Sequence, residues 1–106
     1  MKIEIYTDSS QELIDEIFNA SREETIKTWI IRESKEGKAF LTHKPDQWVD
    51  KALFGFINNK DKLIIHLTWW SNNVPTEDIK GYYMGRFTEV LLVNFSDKYG
   101  KFEIEK

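Results

Sequence analysis

The chain has 106 residues, 18 acidic and 15 basic, for a net charge of −3. It has no cysteine, which removes disulfide stapling, thiolate catalysis and cysteine-ligated zinc. Its only arginines are Arg22, Arg32 and Arg86, so the arginine-rich basic face of a nucleic-acid binder is missing.

Seven Phe, four Tyr and four Trp form a heavy aromatic load. Each buried ring withdraws ~150–250 Å² from water, so one core without staples is expected over residues 1–106, a single domain. The apolar runs fall short of the ~20 residues that cross a membrane. No basic segment leads into an apolar run at the N-terminus. A cytoplasmic protein is expected.

Ile3 and Ile5 alternate with Lys2, Glu4 and Tyr6, which predicts a first strand with one buried face. Ser9 stands three residues before Glu12, a capping-box pattern. Leu13, Ile14, Ile17 and Phe18 follow at helical spacing, so the first helix runs to about Arg22. Thr25 to Arg32 is rich in β-formers with apolar residues on both faces, which predicts a central strand. A strand, a helix and a strand in this order suggest a right-handed crossover between parallel strands.

Ala39 to His43 returns as a strand, and Lys44-Pro45-Asp46 breaks it. Asp46 is placed to cap a turn carrying Trp48. Ala52 to Ile57 and Lys62 to Trp70 form the clearest hairpin, joined by the turn-forming Asn58-Asn59-Lys60-Asp61. This spacing sets Ile57 opposite Lys62. One face then carries Ala52, Phe54, Phe56, Leu63, Ile65, Leu67 and Trp69, and is assigned to the core. The other carries Leu53, Gly55, Ile57, Ile64, His66, Thr68 and Trp70, and is too apolar to lie bare. The segment around Trp48 is the one long irregular stretch that could cover it.

Thr76 caps a second helix, with Glu77 and Asp78 at the positive end of its dipole. Ile79, Tyr83, Phe87, Leu91 and Phe95 form its apolar stripe. Gly81 and Gly85, four apart, suggest a close approach to the sheet. Gly100 ends the helix, and Phe102 and Ile104 lie in a last strand. The expected fold is α+β: a single-layer mixed, mainly antiparallel sheet of about six strands with two helices on one face, in the order β-α-β-β-β-β-α-β.

No catalytic motif stands out. A nucleophile elbow and a glycine-rich phosphate loop are both missing. His43 and His66 show no spacing with a third ligand, so no metal is expected, and no cofactor. Trp69 and Trp70 must point to opposite faces of their strand. Trp70 beside Asn72 and Asn73 offers an aromatic plate with amides at its edge, able to take a sugar, a peptide or a ring. The first helix sets Glu12, Asp15, Glu16 and Glu23 on its outward stripe. Such a stripe is ordinarily a solvated face, but it also suits steering of a basic protein.

The expectation is a non-catalytic protein-binding domain, with Glu12, Asp15, Glu16, Glu23, Trp70, Asn72 and Asn73 as partner-binding residues. Small, acidic, motif-free domains are common among toxin-neutralising immunity proteins, an analogy of size and charge alone. The alternatives are a small-ligand domain or modest enzyme with a pocket near Trp70, and a homodimer assembled through the second sheet face. No nucleic-acid or membrane partner is expected.

Overall fold

The computed structural model describes all residues, Met1–Lys106. Its elements in chain order are β1 (Lys2–Tyr6), α1 (Ser10–Arg22), β2 (Trp29–Glu33), β3 (Ala39–His43), β4 (Leu53–Asn59), β5 (Lys62–Thr68), α2 (Glu77–Asn94), a short 3-10 turn (Ser96–Lys98) and β6 (Lys101–Glu105). The β4–β5 hairpin closes on Lys60 and Asp61, with Lys60 in the left-handed region at φ 53°. Asn58 and Asn59 therefore belong to the strand, and Ile57 pairs with Ile64 instead of Lys62. This register differs by two residues from the one that the turn-forming asparagines suggest. A slip of two keeps every side chain on its face. Phe54, Leu63, Ile65 and Leu67 are accordingly buried, as the period of two predicts.

The strands form one sheet in the order β2-β3-β4-β5-β1-β6, and every pairing is antiparallel. The first strand thus sits between β5 and β6, and β1 and β2 are not neighbours. The expected parallel crossover pair does not form, nor does the mixed sheet. β2 is also an edge strand, not a central one. Residues 25–28, assigned to it from their β-rich composition, are turns instead. Glu24 is left-handed there (φ 61°), and the Thr25 and Ile26 amides both donate to the Ala20 carbonyl. That bend buries Ile26 in the core, so its apolar character reports a folded-back turn rather than a strand buried on both sides.

Both helices pack on one side of the sheet. Leu13, Ile14, Ile17 and Phe18 of α1 join Tyr83, Met84, Phe87 and Leu91 of α2 in one core with Ile3, Ile5, Leu41, Phe54, Leu63 and Ile65. Its centre is aromatic: Trp29 meets Tyr83 and Phe87 edge-on at 5.6 and 5.1 Å, and Phe54 lies 4.9 Å from Phe87. The Thr76 hydroxyl accepts from the Ile79 amide at the start of α2. At the start of α1 the Ser9 side chain makes no cap hydrogen bond, so the capping box is not formed. Instead the Ser10 hydroxyl donates to Asn58 and to the Lys60 carbonyl, tying the helix to the β4–β5 turn. Gly81 and Gly85 point to open space and make no close approach to the sheet. α2 ends at Asn94, before the 3-10 turn, rather than at Gly100.

The irregular segment between β3 and β4 is latched to α2. The Tyr83 hydroxyl donates to the Trp48 carbonyl and lies 3.0 Å from Thr42 Oγ1. Thr42 Oγ1 also donates to the Ala52 carbonyl and accepts from the Asp50 amide. The turn carrying Trp48 is closed by the Pro45 carbonyl, which accepts the Trp48 and Val49 amides, a role expected of Asp46. Trp48 stacks on Tyr82 with 3.7 Å between ring centres. It therefore lies in the helix layer and does not cover the second sheet face. Neither helix is long and apolar enough to cross a membrane.

Candidate functional site

Neither helix covers the second sheet face. On β5 it carries Ile64, His66 and Thr68, opposite Ile57, Gly55 and Leu53 of β4. Ile57 is 47% exposed. Phe40 of β3 lies beside Gly55, and Trp70 meets Phe40 edge-on at 5.6 Å. Burial lowers the His66 pKa, and the nearby Lys38 ammonium and the N-terminal amine lower it further. The middle of this face is thus an apolar and aromatic patch around a neutral imidazole.

The flanks of the patch are charged. Glu4, 7% exposed, accepts from Lys62 Nζ at 3.0 Å and lies 3.5 Å from Lys2 Nζ. Its hydrogen bond from Lys62 lowers its pKa. Arg32 holds Asp50 with both ends of its fork, at 2.9 and 3.3 Å. Asp50 occupies the left-handed region, φ 61°, where a non-glycine residue is uncommon. Each carboxylate on this face is held by a cation, so none stands free beside a nucleophile.

The expected partner-binding residues separate into two groups. Glu12 and Asp15 are exposed on α1 and Glu23 is exposed at its C-terminal cap, beyond the helix on which it was expected, while Glu16 lies 3.7 Å from Lys98. They belong to the helix layer, across the sheet from Trp70. Asn72 and Asn73 are exposed in the turn after Trp70, where the Asn73 amide donates to the Trp70 carbonyl. A cavity of about 420 Å³ is lined by Asn73, Val74, Pro75, Thr76 and Ile79 with Val49, Asp50 and Lys51. Trp70, His66 and Asn72 are not among its walls.

The two histidines lie on opposite faces of the sheet. His66 pairs with Gly55 on the open face, while His43 pairs with Trp29 on the core face. They cannot share a ligand, and no group of three metal-ligating side chains is assembled. His43 is 5% exposed, with its ring centre 4.5 Å from that of Trp29. Its Nε2 is 3.3 Å from the Tyr82 hydroxyl, and its buried Nδ1 has no hydrogen-bond partner. Burial lowers the His43 pKa; the Thr28 carbonyl opposes this and the Arg86 charge adds to it.

A second cavity, of about 230 Å³, opens beside His43. Its walls are Thr28, Trp29, His43, Tyr82, Arg86, Glu89 and Val90. The Arg86 guanidinium lies 5.3 Å from the centre of the Tyr82 ring, whose neighbour in the stack is Trp48. The sequence reading missed this constellation, because it joins a strand end to a helix 39 residues away. The one local cue was Tyr82 and Arg86, four apart on the same helix face. No family model, no curated protein and no solved structure matches the chain.

Proposed function

We propose that this chain is a non-catalytic protein-binding domain that docks through the open face of its sheet. The observation that carries this reading is the grouping of Phe40, Ile57, Ile64, His66 and Trp70 on the face that neither helix covers. Contiguous apolar patches of this kind mark interaction surfaces. Lys2, Lys38, Lys62 and the N-terminal amine lie around it. The fitting partner is a protein that offers apolar side chains framed by carboxylates.

A narrower reading is a toxin-neutralising inhibitor of the immunity kind. It is favoured by the exposed carboxylates of Glu12 and Asp15 on α1 and of Glu23 at its C-terminal cap, which suit a basic partner. The two surfaces call for partners of opposite charge. Affinity capture with three baits separates them: the native chain, Phe40→Ala/Trp70→Ala, and Glu12→Lys/Glu16→Lys, with the captured protein then purified and titrated. Docking on the sheet predicts binding at least tenfold weaker for the sheet variant and unchanged for the helix variant. The reverse pattern transfers the site to α1, and equal binding by all three overturns both readings. Sedimentation of the native chain tests self-association through the same face. A dimer dispersed by Phe40→Ala/Trp70→Ala would make a second copy the occupant and overturn the hetero-partner.

A further inference from the structure

His66 stands at the centre of the open face, where strand order and register bring neighbours to it from both sides. Lys2 of β1 and Gly55 of β4 are its cross-strand partners. The ring is turned over Gly55, which has no side chain to resist it, and lies beside Phe40 of β3. Ile64 and Thr68 share its side of β5, and Ile57 and Trp70 complete the apolar surround. His43 lies on the core face, so His66 is the one histidine of this surface.

The ionisable groups that face the ring are cations: Lys2, the N-terminal amine and Lys38. The carboxylates of the face are engaged elsewhere. Glu4, diagonal to His66 on β1, is held by Lys62 and Lys2, and Glu105 of β6 lies 3.9 Å from Lys2 Nζ. Glu103 is 3.3 Å from Lys101, and Asp50 is held by Arg32. A proton on His66 therefore adds a charge for which the chain has no counter-ion.

We propose that docking on the open face is released by acid: the face binds while His66 is neutral and lets its partner go when the imidazole takes a proton. This inference rests on the reading of the open face as a docking surface. Docking removes water from the centre of the patch. A neutral imidazole tolerates that, whereas an imidazolium without a counter-ion is costly to bury. The partner's carboxylates match Lys2, Lys38 and Lys62 at the rim, which leaves the apolar centre with no anion to offset the new charge.

The direction of the pH dependence follows from burial. Burial, then Lys38 and the N-terminal amine, hold the His66 pKa below its ordinary 6.5 in the free chain. A partner covers the ring further, so the value falls again in the complex. Affinity is then level above pH 6.5 and declines as pH drops through the free-chain value, by up to about tenfold per pH unit. Glu4, held below 4.5 chiefly by Lys62, stays ionised over that range, so the charge that changes is the one on histidine.

The uncharged apolar dye N-phenyl-1-naphthylamine serves as the probe, its binding followed by fluorescence and the fold by circular dichroism. At about pH 7.5 the native chain should bind it, and Phe40→Ala/Trp70→Ala should not, which places the dye on the open face. At about pH 5 the native chain should bind it about threefold more weakly or worse. His66→Gln, which carries no charge at either pH, should bind it equally at both. Acid unfolding would raise the dye signal, the opposite of the expected result. A native chain that binds the dye on this face equally well or better in acid, or a His66→Gln variant that keeps the native pH dependence, would overturn acid release and leave the docking surface standing. Absence of binding at both pH values, or undiminished binding by Phe40→Ala/Trp70→Ala, would overturn the docking surface and acid release together.

Discussion

The His66 imidazole lies across Gly55, so close that a Cβ on that glycine would stand 2.4 Å from Nε2 and 2.6 Å from Cε1. Phe40 approaches the same point to 3.2 Å. The glycine is the floor on which the aromatic patch of the open face rests.

Replacing Gly55 by alanine should therefore turn the His66 ring outward into water. The blocking atoms are the free end of a side chain on an uncovered face, so the ring can yield. Alanine also recovers roughly 0.5–1 kcal/mol of chain entropy in a strand. The net stability change should stay within about 1 kcal/mol. The diagnostic outcome is in titration: the His66 pKa, lowered by burial, should rise toward its ordinary value of 6.5. NMR titration of the ring checks this, and an unchanged His66 pKa would show that the strands part instead.

Acid should weaken the fold in two stages. The His43 and His66 pKa values are both lowered, chiefly by burial, so the unfolded chain takes up these protons more readily than the folded one. Their contribution to stability is complete above 6.5 and declines as pH falls from there through the folded-state values. Glu4, lowered chiefly by its bond from Lys62, adds a further loss as pH falls below its ordinary 4.5. Urea midpoints measured from about pH 8 to about pH 2 should fall in that order, and His66→Gln should flatten the first stage.

The core should respond unequally along β4. Phe54 is fully buried between Trp29 and Phe87, and Phe54→Ala should cost about 3–5 kcal/mol. Phe56 is only half-buried, against Phe18 and Phe87, so its truncation leaves a site that water reaches. Phe56→Ala should cost clearly less than Phe54→Ala in chemical denaturation.

Tyr83→Phe removes the hydroxyl that joins α2 to the β3–β4 segment. The Trp48 carbonyl loses its donor, while Thr42 keeps its bonds to Ala52 and Asp50. A loss of about 1–3 kcal/mol is expected. Hydrogen exchange should quicken at Trp48, Val49 and Lys51, whose amides close that segment's turns, and stay slow in β5.

The alternation along β4 and β5 was enough to identify the core face, since the period of two survives a register shift of two residues. The register itself was obscured because Asn58 and Asn59 carry turn chemistry yet pair within the strand, leaving a left-handed Lys60 to make the bend. Composition misled at Ile26, whose burial arises from a turn, and at Gly81 and Gly85, which face outward. It also misled at Trp48, whose ring found a partner in Tyr82 rather than the bare sheet. The alignment of Phe40 with Gly55 and His66, and of His43 with Tyr82 and Arg86, depends on strand order, which local periodicity does not encode.

The place of β1 in that order has a kinetic meaning. β2 through β5 form an up-and-down run in which each strand finds its mate close by in the chain. β1 must instead wait for Lys62–Thr68 on one side and Lys101–Glu105 on the other, closing loops whose entropy cost is met late. Within this domain β1 is synthesised before either of its neighbours and stays without them until β5 and then β6 have followed. Until then Ile3 and Ile5, fully buried in the finished fold, are solvated and open to the wrong strand, which makes β1 the segment most in need of protection during synthesis.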